Sequence, residues 1–304
     1  MRALVTGASG FVGPYLVDHL RAHGDDVTAI DRHGEHPVDI TDPDALDDVM
    51  QMGAPEAVYH LAALSHVGES WGSGAEAFRV NAEGTLHVLD AAHRAGVDRV
   101  LVVGSAEEYG AARDADLPLT EDAPLRPVTP YGAAKVAADY LGLQAFLGNG
   151  LATIRARPFN HTGAGQSDRF LIPALARRVA DAERGDATEI LVGSLEPVRD
   201  VADVRDVVRA YRLLVERGVP GEVYNVCSGR GVAVGEIARQ LLGLANRPFQ
   251  LVVDPGLVRA VDVPRLVGDP SKLRDATGWQ PEIELEQTLS DVLDDARAAA
   301  SQRV

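Results

Sequence analysis

The chain has 304 residues, of which 45 are acidic and 29 are basic, so its formal charge at pH 7 is -16. This charge argues against a protein that binds nucleic acid or an anionic membrane surface by electrostatic attraction. With 46% apolar and 24% charged residues, the composition excludes general disorder and supports one large domain or two closely packed ones.

Short β-branched runs alternate with longer amphipathic stretches over the first 160 residues. The pattern predicts strands at 3–5, 26–30, 57–61, 99–103 and 152–155, and helices at 12–23, 43–50, 75–95 and 131–147. This alternation is typical of an α/β fold with a doubly wound parallel sheet of the Rossmann type. The ligand crevice of such a sheet lies at the carboxyl ends of the strands.

The alternation becomes less regular after residue 158. Helices are predicted at 172–184, 201–215 and 285–300, strands at 189–192 and 222–226, and two further segments at 234–244 and 249–253. These segments predict a smaller lobe whose elements interleave with the main sheet. No apolar run approaches the ~20 residues that a membrane-spanning helix needs.

The first predicted strand leads directly into a glycine-rich turn. Gly7, Gly10 and Gly13 let the backbone turn tightly and approach a pyrophosphate. The helix that follows directs its first N–H groups, in the region of Phe11 and Val12, at the same phosphate. Because the turn lies between a strand and a helix, these five residues are predicted to bind a dinucleotide.

Asp31 closes the second predicted strand. A carboxylate at that place accepts hydrogen bonds from the adenosine ribose and repels a 2′-phosphate, which favours NAD(H). Arg32 follows and offsets this repulsion in part by pairing with a phosphate, so NADP(H) stays open as the alternative. Asp39 and Ile40 are candidates to contact the adenine, although a turn role explains Asp39 equally well.

Tyr131 and Lys135 are four residues apart on a predicted helix and therefore share one face. A lysine ammonium beside a phenol predicts a tyrosine pKa below the usual ~10, which suits proton exchange with a substrate oxygen. Ser105 follows the fourth predicted strand and can reach the same oxygen. Lys135 is one of only two lysines in the chain, the other being Lys272, so its ammonium has a role that arginine does not fill.

With these motifs the chain resembles the extended short-chain dehydrogenases/reductases that act on nucleotide sugars, the NAD-dependent epimerase/dehydratase family. The matching segments are 6–13, 39, 60–63, 81–85, 104–110, 131–135, 157–160 and 199–200. The resemblance implies that Tyr131 is the acid/base, that Lys135 tunes it and holds the nicotinamide ribose, and that Ser105 hydrogen-bonds the sugar oxygen. It also places three further residues at the cofactor: Leu61, Ala62 and Ala63.

Further segments resemble the enzymes of GDP-6-deoxyhexose synthesis: 64–70, 157–166, 192–200, 221–229 and 262–279. The likeness is greatest to the reductases. It implies hydride transfer from a nicotinamide cofactor to C4 of a GDP-4-keto-6-deoxyhexose, giving GDP-D-rhamnose or a close relative. The alternatives are a GDP-mannose 4,6-dehydratase, a nucleotide-sugar 4-epimerase and a non-enzymatic dinucleotide sensor. An intact tyrosine–lysine pair with a serine argues against the sensor.

Because of Glu107, the dehydratase remains an alternative to the reductase. Dehydration must remove a C5 proton and expel the C6 hydroxyl, and this calls for an acidic residue beyond the triad. Glu107 stands at the position of that acid in the dehydratases, whereas its neighbour Ala106 is neither an acid nor a hydrogen-bond donor. A surface role in its loop explains Glu107 equally well.

The resemblance also suggests substrate contacts. Ser65 and Asn160 are candidates to contact the sugar, and Arg199 and Arg259 are candidates to clamp the nucleotide pyrophosphate with their guanidinium groups. The surroundings of Arg259 depart from the family pattern. The histidines at 60, 66 and 161 lie in segments that the family motifs already explain, so no metal site is expected.

The resemblance further implies a division of the chain and an assembly. Residues 1–157 form the dinucleotide-binding domain, with 201–228 returning to it, and residues 158–200 and 229–304 form the substrate-binding lobe. The helices at 75–95 and 131–147 resemble those of a family homodimer interface, and a tetramer stays open. The single cysteine, Cys227, excludes an internal disulfide and fits a reducing cytoplasm.

Overall fold

The predicted alternation of strands and helices is present in the computed structural model, which describes residues 1–33, 36–65, 69–258 and 263–302. The strands within those residues are β1 (Arg2–Thr6), β2 (Asp26–Ile30), β3 (Ala57–His60), β4 (Arg99–Val103), β5 (Thr153–Pro158), β6 (Asn160–Thr162), β7 (Glu189–Val192), β8 (Val198–Asp203), β9 (Val223–Val226), β10 (Gly231–Ala233), β11 (Gln250–Val253) and β12 (Arg265–Leu266). The α-helices are α1 (Val12–Ala22), α2 (Pro43–Gly53), α3 (Gly74–Phe78), α4 (Gly84–Ala95), α5 (Pro130–Asn149), α6 (Leu171–Arg184), α7 (Val204–Arg217), α8 (Val234–Gly243), α9 (Ser271–Thr277) and α10 (Leu285–Ser301).

Six parallel strands form the main sheet, in the order β2-β1-β3-β4-β5-β9. The predicted α/β fold with a doubly wound parallel sheet is therefore confirmed. β1 has β2 on one side and β3 on the other, so the strand order reverses at β1, where sheets of this kind bind ligands. Because all six strands are parallel, their carboxyl ends meet at one edge.

Helices cover both faces of the main sheet. On one face α1 and α7 bury their apolar sides, so that Leu16, Leu20 and Leu214 join one core with Trp279. On the other face α2, α4 and α5 pack over the sheet around a second core that includes Met50. The i, i+4 spacing of Leu16 and Leu20 is typical of a helix with one apolar side. The two cores hold the carboxyl edge of the sheet in a fixed shape.

Helix α5 carries the predicted tyrosine–lysine pair and has clear boundaries. Thr129 caps its start by accepting a hydrogen bond from the N–H of Gly132 at 3.0 Å, and Pro130 occupies the first turn. It ends at Gly150, which has a φ of 72°. A Cβ on Gly142 would lie only 3.2 Å from Cγ of Arg155, so this glycine lets α5 approach the sheet closely.

A π-helical turn, Arg79–Glu83, joins α3 to α4 in one continuous helical segment. The buried side chain of Asn81 in this turn accepts from the N–H of Leu64 at 2.7 Å and donates to the carbonyl of Leu64 at 3.0 Å. These two bonds fasten the loop after β3 to the helix. Such turns inside α-helices are frequently found at functional sites.

The remaining strands form two small sheets beside the main one. β10, β8 and β12 lie in that order with β6 also pairing to β8, and β11 pairs with β7. Helices α6, α8 and α10 share a separate apolar core next to them, built around Leu175, Ile237 and Leu289. Within the described residues, no helix combines the length and the apolar character that crossing a membrane requires.

The helix predicted at 201–215 begins at Val204 instead, because residues 198–203 form β8. Asp203 caps the helix by accepting from the N–H of Arg205 at 2.8 Å. β8 gains partners on both edges, and those partners are strands of two or three residues that are too short to produce a pattern of their own. Helix α9 was not predicted either.

Candidate active site

A cavity of about 630 Å³ opens at the carboxyl edge of the main sheet. Most of the residues predicted to bind a ligand line it. They are Gly7, Gly10, Phe11, Val12, Gly13, Asp31, Arg32, Asp39, Ile40, Leu61, Ala62, Ala63, Ser65, Ser105, Glu107, Tyr131, Lys135, Asn160 and Arg199. Arg259 lies outside the described residues.

The glycine turn forms one end of the cavity and leaves no space for side chains. A Cβ on Gly7, whose φ is +71°, would lie 2.6 Å from the backbone nitrogen of Ala62, and a Cβ on Gly13 would lie 2.3 Å from the carbonyl oxygen of Ala8. Helix α1 starts at Val12, and among the described residues no side chain caps that start. Its first N–H groups therefore remain available for an anion, as a dinucleotide pyrophosphate requires.

Two carboxylates stand at the end of the cavity where the adenosine is expected. Asp31 accepts a hydrogen bond from the N–H of Ser9 at 3.1 Å. Asp39 accepts from the N–H and the hydroxyl of Thr41 at 2.9 and 2.8 Å, and these bonds hold the pKa of Asp39 below its usual range. Asp39 thus lines the cavity and also fixes a turn. Arg32 is exposed beside them.

A buried chain of hydrogen bonds shapes the wall beside the glycine turn. Thr6 Oγ1 accepts from the N–H of Ala62 at 3.1 Å and lies 2.8 Å from Nδ1 of His60. Thr85 Oγ1 lies 2.9 Å from Nε2 of His60 and donates to the carbonyl of Asn81 at 2.6 Å. His60 must therefore accept at Nδ1 and donate from Nε2. Burial lowers the pKa of His60 to about 3, so the ring is neutral and both nitrogens are occupied.

Ser105, Tyr131 and Lys135 lie together at the centre of the cavity. Ser105 follows β4, and its hydroxyl lies beside the buried phenol of Tyr131, whose pKa it lowers. Lys135 is also buried, and its Nζ donates to the carbonyl oxygen of Val103 at 2.7 Å. The structure thus places the three predicted residues on two adjoining elements, the end of β4 and the first turns of α5.

The pKa of Tyr131 differs from the sequence-based expectation. Burial raises this pKa above its usual value, and the hydrogen bond from Ser105 lowers it by less than burial raises it. The expected lowering by Lys135 is therefore wrong for the free protein. Burial lowers the pKa of Lys135 itself to about 8. Near neutral pH the phenol keeps its proton and can act as an acid, while most of the lysine is still charged.

Two adjacent glutamates after Ser105 have different surroundings. Glu107 is half-buried and lines the cavity, as its candidate role in acid/base chemistry requires. Glu108 is fully buried and points away from solvent into a cluster of charged side chains. The sequence analysis did not single out Glu108, because an acidic pair in a loop is usually solvated.

Three arginines line the end of the cavity formed by α6 and the small sheets: Arg169, Arg178 and Arg199. Arg199 was predicted there, and its Nη1 donates to the carbonyl of Val198 at 2.9 Å. Arg178 was not predicted, since an arginine on an amphipathic helix usually faces water. Its Nη1 donates to the carbonyl of Leu191 at 2.8 Å. This end of the cavity suits an anionic ligand.

Comparisons with known proteins agree with this geometry. The model of the NAD dependent epimerase/dehydratase family matches residues 3–227. The chain is 37% identical to the GDP-6-deoxy-D-mannose reductase of Pseudomonas aeruginosa, over 97% of this chain and 96% of that protein. It is 26% identical to a GDP-mannose 4,6-dehydratase of Vibrio cholerae, over 98% and 94%. The solved structure of RMD from Pseudomonas aeruginosa complexed with NADPH superposes with a TM-score of 0.90 at 36% identity, covering 98% of this chain and 100% of that one.

Proposed function

Because the chain belongs to the NAD-dependent epimerase/dehydratase family, we propose that it is a reductase that transfers a hydride from a nicotinamide cofactor to C4 of a GDP-4-keto-6-deoxyhexose. The product is GDP-D-rhamnose or a close relative. The observation that carries the proposal is the buried Tyr131 phenol, which keeps its proton and lies beside Ser105 in the same cavity as the glycine turn. Identity to a GDP-6-deoxy-D-mannose reductase over nearly the whole chain supports the substrate.

Tyr131, Ser105 and Lys135 have different roles in the proposed reaction. The reduced nicotinamide, when bound, supplies the hydride that C4 accepts. Tyr131 donates its proton to the C4 oxygen as negative charge develops there, and Ser105 holds that oxygen by a hydrogen bond. Lys135 lines the same cavity and supplies a positive charge there. Its charge also suits the ribose hydroxyls of the cofactor.

The diphosphate of the sugar nucleotide requires positive charge in a protein whose formal charge is -16. Arg199 and Arg178 line the cavity beyond Asn160 and supply that charge locally. Asn160 and Ser65 remain candidates to contact the sugar. Arg259 remains a candidate for the pyrophosphate on the grounds of its sequence alone.

The function is tested by offering GDP-mannose and its 4-keto-6-deoxy product separately and following NADH and NADPH absorbance. The reductase consumes reduced cofactor only with the keto sugar. Formation of the keto sugar from GDP-mannose without net change in the cofactor would instead identify a dehydratase. Formation of a C4 epimer from a nucleotide sugar, again without net change, would identify an epimerase.

Glu107 is the specific observation that favours the dehydratase as a second candidate, because this carboxylate lines the cavity. We expect Glu107→Gln to change keto-sugar reduction by less than about fivefold, since reduction at C4 removes no proton from C5. Any dehydration of GDP-mannose should fall by about 10²-fold or more in the same variant. Both rates are measured by nucleotide-sugar chromatography. A loss of about 10²-fold in keto-sugar reduction would contradict the assignment.

Asp31 sets the expected cofactor preference. We expect kcat/KM to be greater for NADH than for NADPH, because the Asp31 carboxylate, which faces the cavity, repels a 2′-phosphate. Asp31→Ala should lower the preference for NADH over NADPH by about tenfold, because it removes the carboxylate that repels the 2′-phosphate and leaves Arg32 to attract it. Arg32→Ala is the matched control and should shift the preference the opposite way. A wild-type protein that strongly prefers NADPH would overturn this interpretation of Asp31.

We further infer a homodimer in the cytoplasm. Tyr140 and Leu147 on α5 are 57% and 72% exposed, and Phe78 on the adjoining α3 is 45% exposed, so an apolar surface runs across both helices. Light scattering should give twice the monomer mass for the wild type and the monomer mass for Tyr140→Glu combined with Leu147→Glu. A wild-type monomer would contradict the dimer, and four times the monomer mass would indicate the tetramer. Cys227 is buried as a thiol, which suits a reducing compartment.

A further inference from the structure

Glu108 joins Ser105 to the scaffold behind the active site. Ser105 and Glu108 form a capping box around one 3₁₀ turn, in which Ser105 Oγ accepts from the N–H of Glu107 at 3.1 Å and Glu108 Oε1 accepts from the N–H of Ser105 at 2.7 Å. A Cβ on Gly104 would lie 2.3 Å from the same Oε1. The Glu108 carboxyl is thus pressed against the backbone that carries the Ser105 hydroxyl.

The other oxygen of Glu108 contacts the elements on either side. Arg157 on β5 donates from Nε to Glu108 Oε2 at 2.9 Å and to Asp139 Oδ2 at 2.8 Å. The carboxyl groups of Glu108 and Asp139 thus meet at one guanidinium nitrogen. Asp139 lies on α5 one turn beyond Lys135, so the Glu108 side chain ties the serine to the helix of the catalytic pair.

The two carboxyl groups differ in how strongly they hold a proton. Burial and the neighbouring Asp139 raise the pKa of Glu108 well above its usual value. Burial acts in the same sense on Asp139, but Arg157 and Arg155 outweigh it and hold the pKa of Asp139 below its usual range. Arg155 donates to Asp139 Oδ1 at 2.5 Å. Glu108 therefore holds a proton more strongly than Asp139 does.

We propose that Glu108 is a positioning residue that sets the distance between the Ser105 hydroxyl and the Tyr131–Lys135 helix. The proposal rests on the proposed reductase function, because it acts through the hydroxyl that holds the C4 oxygen. Glu108 does not reach the cavity itself, since it is fully buried and is absent from the cavity lining. It therefore affects the transition state through Ser105 and has little effect on ligand affinity.

Three substitutions of Glu108 separate positioning from folding. Glu108→Gln keeps the length of the side chain and an acceptor for the Ser105 N–H, and kcat should stay within about threefold of wild type. Glu108→Asp keeps an acid but is too short to reach the Ser105 N–H, and Glu108→Leu removes the acceptor altogether. Both substitutions should lower kcat by about 10–100-fold and leave KM for the keto sugar within about twofold of the wild-type value. This is expected because a small displacement of the serine weakens the stabilisation of the transition state more than the binding of the substrate.

Asp206 supplies the matched controls. It is equally buried, and it accepts from the N–H groups of Glu282 and Ile283, both at 2.9 Å. Asp206→Asn and Asp206→Leu should lower the melting temperature while kcat per folded molecule stays unchanged. The folded fraction is determined by calorimetry. The Glu108→Asp change is also made in a Ser105→Ala background, where it should have no further effect on kcat if it acts through the serine.

The outcomes are distinct. An unchanged kcat per folded molecule in Glu108→Asp would overturn the positioning role. So would a double variant whose loss of kcat equals the product of the losses in Glu108→Asp and Ser105→Ala. A Glu108→Gln protein as slow as Glu108→Asp would also overturn this role, because glutamine conserves the acceptor for the Ser105 N–H. A wild type that does not reduce the keto sugar would be a failure of the proposed function instead. The same variants are then compared on whichever nucleotide sugar the wild type turns over, since Ser105 contacts the reacting oxygen in each of these reactions.

Discussion

Tyr131→Phe is expected to lower kcat for keto-sugar reduction by about 10³-fold, within the range by which general acid catalysis accelerates reactions. The substitution removes one hydroxyl from a buried ring and leaves its packing in place. The proton that Tyr131 holds at neutral pH is then lost as a donor to the C4 oxygen. The rate is measured at saturating cofactor and keto sugar, and cofactor affinity is measured by NADH fluorescence.

Tyr59→Phe provides the control for this change. Tyr59 is fully buried on β3, and in the part of the chain that the structure describes its hydroxyl has no hydrogen-bond partner. Removing that hydroxyl should leave kcat unchanged and the fold at least as stable, because an unsatisfied buried polar group costs free energy. If Tyr131→Phe retained more than about one tenth of wild-type kcat, Tyr131 would not be the general acid.

Lys135→Arg is expected to lower kcat by about 10²-fold or more, although it conserves the charge. The Lys135 ammonium is a compact donor in a buried site, 2.7 Å from the carbonyl of Val103, and a planar guanidinium does not fit the same place. Lys135→Met should be still slower, since it removes the charge as well. Folding is checked by calorimetry, and kcat is measured as for Tyr131.

Lys272→Arg is the matched control, because Lys272 is the other of the two lysines in the chain. Lys272 is at the surface, where its Nζ lies 2.7 Å from Oε2 of Glu222. Arginine should form that exposed ion pair equally well, with stability within about 0.5 kcal/mol and an unchanged kcat. Equal loss of activity in Lys135→Arg and Lys272→Arg would contradict a specific role for Lys135.

The pKa of Lys135 also predicts the pH dependence of activity. Burial lowers this pKa to about 8, so the fraction of charged lysine in the free protein falls as the pH rises through 8. Tyr131 stays protonated over the same range because its pKa is raised. The kcat/KM for the cofactor should therefore fall above pH 8 with the slope of a single ionisation. A kcat/KM for the cofactor that stays constant up to pH 10 would show that it does not depend on the charge of Lys135.

The sheet and the cavity lining were predictable because they follow from local patterns. Strands and helices in the first half are long enough to show their own periodicity, and the parallel arrangement brings Gly7, Ser105 and Asn160 to one edge. β8 was missed because its pairing comes from distant segments of two or three residues. Such pairing leaves no local signal.

The electrostatics of the site could not be predicted in the same way. The expectation for Tyr131 considered only Lys135 as its neighbour, whereas burial has the larger effect on its pKa. Glu108 was overlooked for the same reason, since the sequence gives no sign that Arg157 and Asp139 enclose it. Burial depends on the packing of α5 against β4 and β5, which is a property of the whole fold.

The central claim is that hydride passes from the cofactor to C4 of a GDP-4-keto-6-deoxyhexose. It is tested most directly with NADH or NADPH that carries deuterium at the transferable position, followed by NMR of the nucleotide-sugar product. We predict one deuterium at C4 of a GDP-6-deoxyhexose, with one cofactor oxidised for each product formed. Absence of deuterium at C4, or conversion of GDP-mannose to the keto sugar with no oxidised cofactor, would contradict the account.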